Sequence, residues 1–146
     1  MNKICTSIEQ SKKLIELGLD VNTGDMYYEY VLPKSDKIKH NPQIGNPVNA
    51  LEWYNKGYTT SGKKPIKLNE YCIPAWSLSA LLDVINQVRE IKHQRVTMLV
   101  GRFAGNHWYV GLSRVQDERS VLLEHSKELV DACYEMILKL KELKLL

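Results

Sequence analysis

The spacing of polar and apolar positions changes period several times along this chain. Ile8, Leu14, Ile15 and Leu17 share a helical face. Ahead of them, Thr6-Ser7-Ile8-Glu9 has the spacing of a capping box, in which the Thr6 hydroxyl accepts from the Glu9 N–H and the Glu9 carboxylate from the Thr6 N–H. Gly18 supplies a left-handed end, with Leu19 placed to fold back on Leu14. The pattern predicts a first helix over 7–17. Asp20 to Asp25 shares some spacing with a calcium loop, but its glycine comes one position early and no glutamate stands at the twelfth, so a turn is expected. Met26 to Leu32 is rich in strand formers and stops at Pro33, predicting a strand. Residues 33–65, with four prolines and three glycines, show little periodicity and are read as an irregular segment. Within it, Ala50 to Tyr54 is expected to form only a short helical turn, and Ile66 to Tyr71 alternates like a short strand.

The middle of the chain, Tyr71 to Leu82, joins an apolar run to a proline, a tryptophan and a serine-led helix. Ser77 reads as its N-cap, with Trp76 and Leu81 at the spacing of a hydrophobic staple. Leu78, Leu81, Leu82, Ile85 and Val88 form the apolar face of a helix over about 78–91. Beyond it the period becomes two. Val96, Met98 and Val100 alternate up to Phe103, and Trp108, Val110 and Leu112 alternate from His107 to Val115 across the turn Ala104-Gly105-Asn106. Val121 to Leu123 adds a third strand. Ser126 then reads as the cap of a last helix over about 127–144, carrying Leu129, Cys133, Met136, Leu140 and Leu143. The expectation is one α+β domain over residues 1–146, a three-stranded antiparallel meander packed with about three helices in the order α-β-α-β-β-β-α.

Charge changes the picture more than composition does. The net charge is +3, yet residues 33–70 carry seven lysines against three acids, while residues 1–32 carry three against five. The positive surplus therefore sits in one segment and is too small to argue for DNA binding by itself. No apolar run is long enough for a membrane span and no signal-peptide core opens the chain, so the cytoplasm is the expected location. Cys5, Cys72 and Cys133 are far apart in apolar contexts and read as buried thiols. None has a Cys or His within four residues, and His40, His93, His107 and His125 form no ligand pairs, so no metal is expected. There is no phosphate loop and no Gly-x-Ser-x-Gly elbow, and no base can be placed for a serine nucleophile. The chain reads as a non-enzyme without a cofactor.

Three stretches carry a likeness: Thr6 to Ser11 running to Asp20, Ile73 to Leu82, and Leu129 to Cys133 with the closing Leu/Lys helix. Through them the chain resembles a family of small uncharacterised proteins found on prophages and mobile elements of gut bacteria. The resemblance implies a phage accessory role and brings no catalytic residues.

The chemistry-bearing candidates gather in and around the basic segment. Trp53, Tyr54 and Tyr58 interleave with Lys63, Lys64 and Lys67, which suits a ligand with flat rings and negative charge. The start of the 78–91 helix, with the hydroxyls of Ser77 and Ser79, is a second anion-binding feature, and Arg102 and His107 flank the expected hairpin turn. The function expected is sequestration of a small anionic ligand such as a nucleotide defence signal. A module that inhibits or adapts a host protein, and single-stranded nucleic-acid binding, are the alternatives. The terminal Lys144-Leu145-Leu146 leaves apolar residues on the last helix for a second copy to cover.

Overall fold

Ser7 opens the first helix, α1 (Ile8–Glu16): its hydroxyl accepts from the Gln10 N–H at 3.1 Å, and the Gln10 side chain accepts from the Ser7 N–H at 3.0 Å. The capping box exists one residue later than Thr6 and Glu9 suggested. Thr6 is wholly buried, so its side chain belongs to the packing and Ser7 becomes the turning residue. At the other end Gly18 has φ +85°, and the Leu19 and Gly18 N–H groups bond the Leu14 and Ile15 carbonyls, both at 3.0 Å. This is the paired bonding of a Schellman end. These coordinates come from a computed structural model that describes residues 3–146, apart from the side chain of Tyr58. Close contacts divide the chain into two units, Ser7–Ser77 and Leu78–Leu146, the latter joined by the segment ending at Thr6.

The Ser7–Ser77 unit holds α1, a 3-10 turn (Val21–Thr23) capped by the Asp20 carboxylate, and strands β1 (Met26–Glu29) and β2 (Gln43–Ile44). Helices α2 (Pro47–Thr60) and α3 (Leu68–Tyr71) and strand β3 (Cys72–Ala75) complete it. The strands form an antiparallel sheet in the order β2-β1-β3. β1 stops at Glu29 rather than Leu32, because Tyr30 and Val31 turn to bond Tyr71 and Lys37 and leave Leu32 exposed. The segment 33–65 is not irregular throughout, since most of its second half is α2. The Asn46 side chain accepts from the Val48 and Asn49 N–H groups, and Pro47 takes the first helical position, where its missing N–H costs nothing. Nor is 66–71 a strand. The Glu70 carboxylate accepts from the Lys67 N–H at 3.0 Å and closes a helical turn, so the extended backbone begins at Cys72. Pro74 fits β3 because that strand is a sheet edge.

The second unit holds α4 (Leu78–Ile85), β4 (Glu90–Ile91), β5 (Gln94–Phe103), β6 (His107–Arg114), β7 (Ser120–Ser126) and α5 (Leu129–Glu142). Its sheet runs β4-β5-β6-β7, all antiparallel, and contains the expected meander. α4 is shorter than 78–91. Lys92 and His93, at φ +50° and +64°, form a two-residue turn that folds Glu90 and Ile91 back on β5 as an additional strand. Ser126 does not cap α5; it pairs with Trp108 in the sheet, and the helix starts at Leu129 behind Glu128. α5 packs on β6 and β7, and Val130, Cys133, Met136, Ile137 and Leu140 are buried with Val110 and Leu112. Among the described residues, five helices and two antiparallel sheets make a mixed α+β protein. Among the described residues no helix is long and apolar enough to cross a membrane.

Candidate ligand-binding groove

The edge strand β3 cannot extend its sheet further. Pro74 has no N–H, and the Cys72 N–H is spent on the Leu68 carbonyl at the end of α3. Main-chain pairing with another strand is closed off there. Around β3 lies a groove of about 450 Å³, entirely within the Ser7–Ser77 unit. Its apolar lining is Ile15 from α1, Val21, Leu68 from α3, and Ile73 and Pro74. Its polar groups are Lys12, Tyr30, Lys67 and Asn69. Lys12 and Ile15 stand three apart on α1 and so share a face. Neither the Lys12 nor the Lys67 ammonium is in an ion pair among the described residues. An apolar cleft of this size with a few convergent polar groups is the usual form of a small-molecule site.

Cys72 also lines the groove, but burial, with the Glu29 carboxylate adding to it, pushes its thiol up to about 12. A pKa raised that far keeps the sulfur protonated throughout the neutral range, and the thiolate is the nucleophile. Cys72 is therefore a wall of the groove and not a reactive group. Native protein at neutral pH is expected to react slowly with Ellman's reagent at all three buried cysteines, and to release three thiols on denaturation. Fast native labelling of Cys72 would contradict this assignment.

The residues singled out from sequence fall in several places. Lys67 lines the groove, while Lys63 and Lys64 are exposed between α2 and α3. Trp53 is 76% exposed on α2, with the Lys56 ammonium 5.4 Å from its ring centre. Tyr54, one residue on, turns inward and packs on Tyr71, ring centres 5.0 Å apart, so the two neighbouring aromatics do not form one stacking platform. Tyr58 is in the same helix, and its side chain lies outside the described residues. The Asp25 carboxylate accepts from both the N–H and the hydroxyl of Ser77, which puts a negative group where an anion was expected. Ser79 is exposed in the first turn of α4. Arg102 lies over Trp108, 4.9 Å from the ring centre, and donates to Asn106 at 2.7 Å. His107 pairs with Phe103, whose neighbour Arg102 pairs with Trp108, so Arg102 and His107 occupy opposite faces of the sheet.

Lys12, Tyr30 and Asn69 are not marked as site residues by any local pattern, and Ile15 is marked only as part of the apolar face of α1. Only the shared helical face of Lys12 and Ile15 was available as a signal, and nothing local connects α1 to residues 67–74. Comparison of the chain with family models, with curated proteins and with solved structures finds no significant match.

Proposed function

We propose that this protein is a non-enzymatic binding protein for a small organic anion of nucleotide type. The observation that supports this is the groove beside β3, whose apolar floor is lined by two lysines, Lys12 and Lys67, that are in no ion pair among the described residues. A ring or short apolar body would lie on Ile15, Leu68, Ile73 and Pro74, where burying its surface is worth roughly 25 cal/mol per Å². The negative group would meet the two lysines, which act as point charges suited to phosphate. Tyr30 and Asn69 add hydroxyl and amide groups for orientation. Among the described residues lining the groove none forms a nucleophile–base pair, so the reading is retention and not turnover. Sequestration of a nucleotide signal accords with the phage accessory role that the sequence resemblance implies.

Calorimetry against a panel of mono- and dinucleotides and simple aromatic carboxylates tests this. Binding is expected to weaken roughly tenfold in Lys12→Ala and again in Lys67→Ala, each about 1.4 kcal/mol. Lys63→Ala and Lys64→Ala should change it less, because neither lines the groove. Absence of binding across the panel, or indifference to both groove substitutions, rejects the reading.

Trp53 supports a second reading, a surface that engages a host protein. Exposed tryptophan is rare and is enriched among interface hot spots. Asn49, Glu52, Trp53 and Lys56 line one shallow depression on the outer face of α2. A host partner lost on Trp53→Ala but retained on Lys12→Ala would favour this reading over the groove.

A further inference from the structure

The outer edge of β5 holds main-chain groups that the fold does not use. The Val96 N–H bonds the Arg89 carbonyl at 2.9 Å, on the β4 side, and the Arg95 carbonyl accepts from the Val115 N–H at 3.0 Å, on the β6 side. The N–H and C=O of a strand residue point to the same side, and the side alternates along the strand. Thr97, Leu99, Gly101 and Phe103 therefore bond to β6, while Met98, Val100 and Arg102 turn their main-chain groups outward. β4 pairs only with Gln94 and Arg95, so among the described residues these three have no ladder partner. Three apolar side chains along this edge are open, Leu99, Val100 and Phe103, each between 41% and 45% exposed. A long, open, apolar edge is a template for another strand. The opposite edge, β7, is interrupted by a register shift at Leu112/Ser113, which limits the ladder it can offer.

We infer that this edge pairs antiparallel with the β5 edge of a second copy about a two-fold axis at Val100, joining two four-stranded sheets into one. The register follows from the groups available. Centred on Val100, each copy sets Met98 against Arg102 and Val100 against Val100, so all three outward residues enter the ladder. Centred on Leu99, Arg102 would face Val96, whose N–H is already held by Arg89. The Val100 register also keeps charges apart. Arg102 meets Met98, and Arg95 is already opposed by Glu90 of β4 on that side, so no like charges oppose one another, an arrangement that would destabilise a pair. Leu99 of one copy falls beside Gly101 of the other, over which the Tyr109 ring lies, and apolar area is buried there. An acidic peptide is a poorer occupant. Arg102, the cation nearest the edge centre, is already engaged by Trp108 and Asn106.

Sedimentation velocity and light scattering on the full chain, from micromolar to submillimolar concentration, should show a species of twice 16.9 kDa. Val100→Lys places two ammonium groups at the axis, and Val100→Pro removes the central N–H without touching a bond inside the chain. Either should raise the dimer dissociation constant at least tenfold while circular dichroism stays unchanged. If Val100→Pro perturbs the strand, Val100→Lys carries the test alone. Val100→Cys should give a covalent dimer under mild oxidation, because paired Cα atoms at about 5.5 Å lie within disulfide reach. A monomer at every concentration overturns the inference, as does a dimer indifferent to both substitutions. Open-ended polymers, pointing to β5–β7 pairing, would also overturn it, and so would a dimer lost on Leu143→Lys but not on Val100→Lys.

Discussion

Trp76→Ala is expected to lower stability by about 3–5 kcal/mol, the range for emptying a large aromatic site in a packed core. Trp76 is completely buried, and its indole N–H donates to the Thr23 hydroxyl at 2.9 Å. Removing it creates a cavity and takes away the donor to that hydroxyl, which keeps only its own bond to the Asp20 carbonyl at 2.5 Å. At this chain length about 1 kcal/mol corresponds to roughly 2–4 °C in Tm, so the fall should exceed 6 °C. Trp76→Phe keeps most of the volume and loses the hydrogen bond, and should cost less than half as much. Urea denaturation followed by circular dichroism measures both. Equal losses in the two variants would show that the hydrogen bond and not the packing dominates.

Ile137→Ala should cost about 2–5 kcal/mol for the same reason in the other unit. Ile137 is completely buried in the middle of the α5 stripe, between Cys133 and Leu140, where the helix covers β6 and β7. Three methyl(ene) groups leave and the rigid sheet can collapse onto the space only in part. Glu135→Ala, exposed on the same helix, should stay within about 0.5 kcal/mol. Melting of the two variants side by side decides it. A loss below about 1 kcal/mol for Ile137→Ala would mean that α5 is not packed as described.

These two residues also mark how far local reasoning reached. The α5 stripe and the alternation of β5 and β6 are periodic signals, and all three elements lie where the periods put them. The Schellman end at Gly18 was equally legible, since glycine there answers a backbone need confined to a few residues. Only the Ala50–Tyr54 part of α2 was legible, as a short helical turn, although Asn46 and Pro47 announce its start, because Gly57, Thr59 and Thr60 are poor helix formers and the helix has no strong apolar stripe. Its inner side is held instead by long-range ties. Asn55 bonds both the N–H and the carbonyl of Ile66, and Tyr54 packs on Tyr71. The aromatic–lysine cluster around Trp53 failed to assemble for a related reason. Neighbours on a helix point in different directions, so adjacency in sequence separated Trp53 from Tyr54 in space.

Sequence alone determined the class, α+β with an antiparallel meander and an amphipathic closing helix, because period and capping are properties of a few consecutive residues. Tertiary structure decided the groove. Lys12, Tyr30 and Lys67 become neighbours only when α1 and α3 pack beside the β3 edge, and contacts between residues so far apart leave no trace in local pattern. It likewise decided which strand edge stays open. Pro74 closes β3, while the outward main-chain groups of Val100 on β5 have no ladder partner among the described residues, and that difference depends on which strands lie beside them.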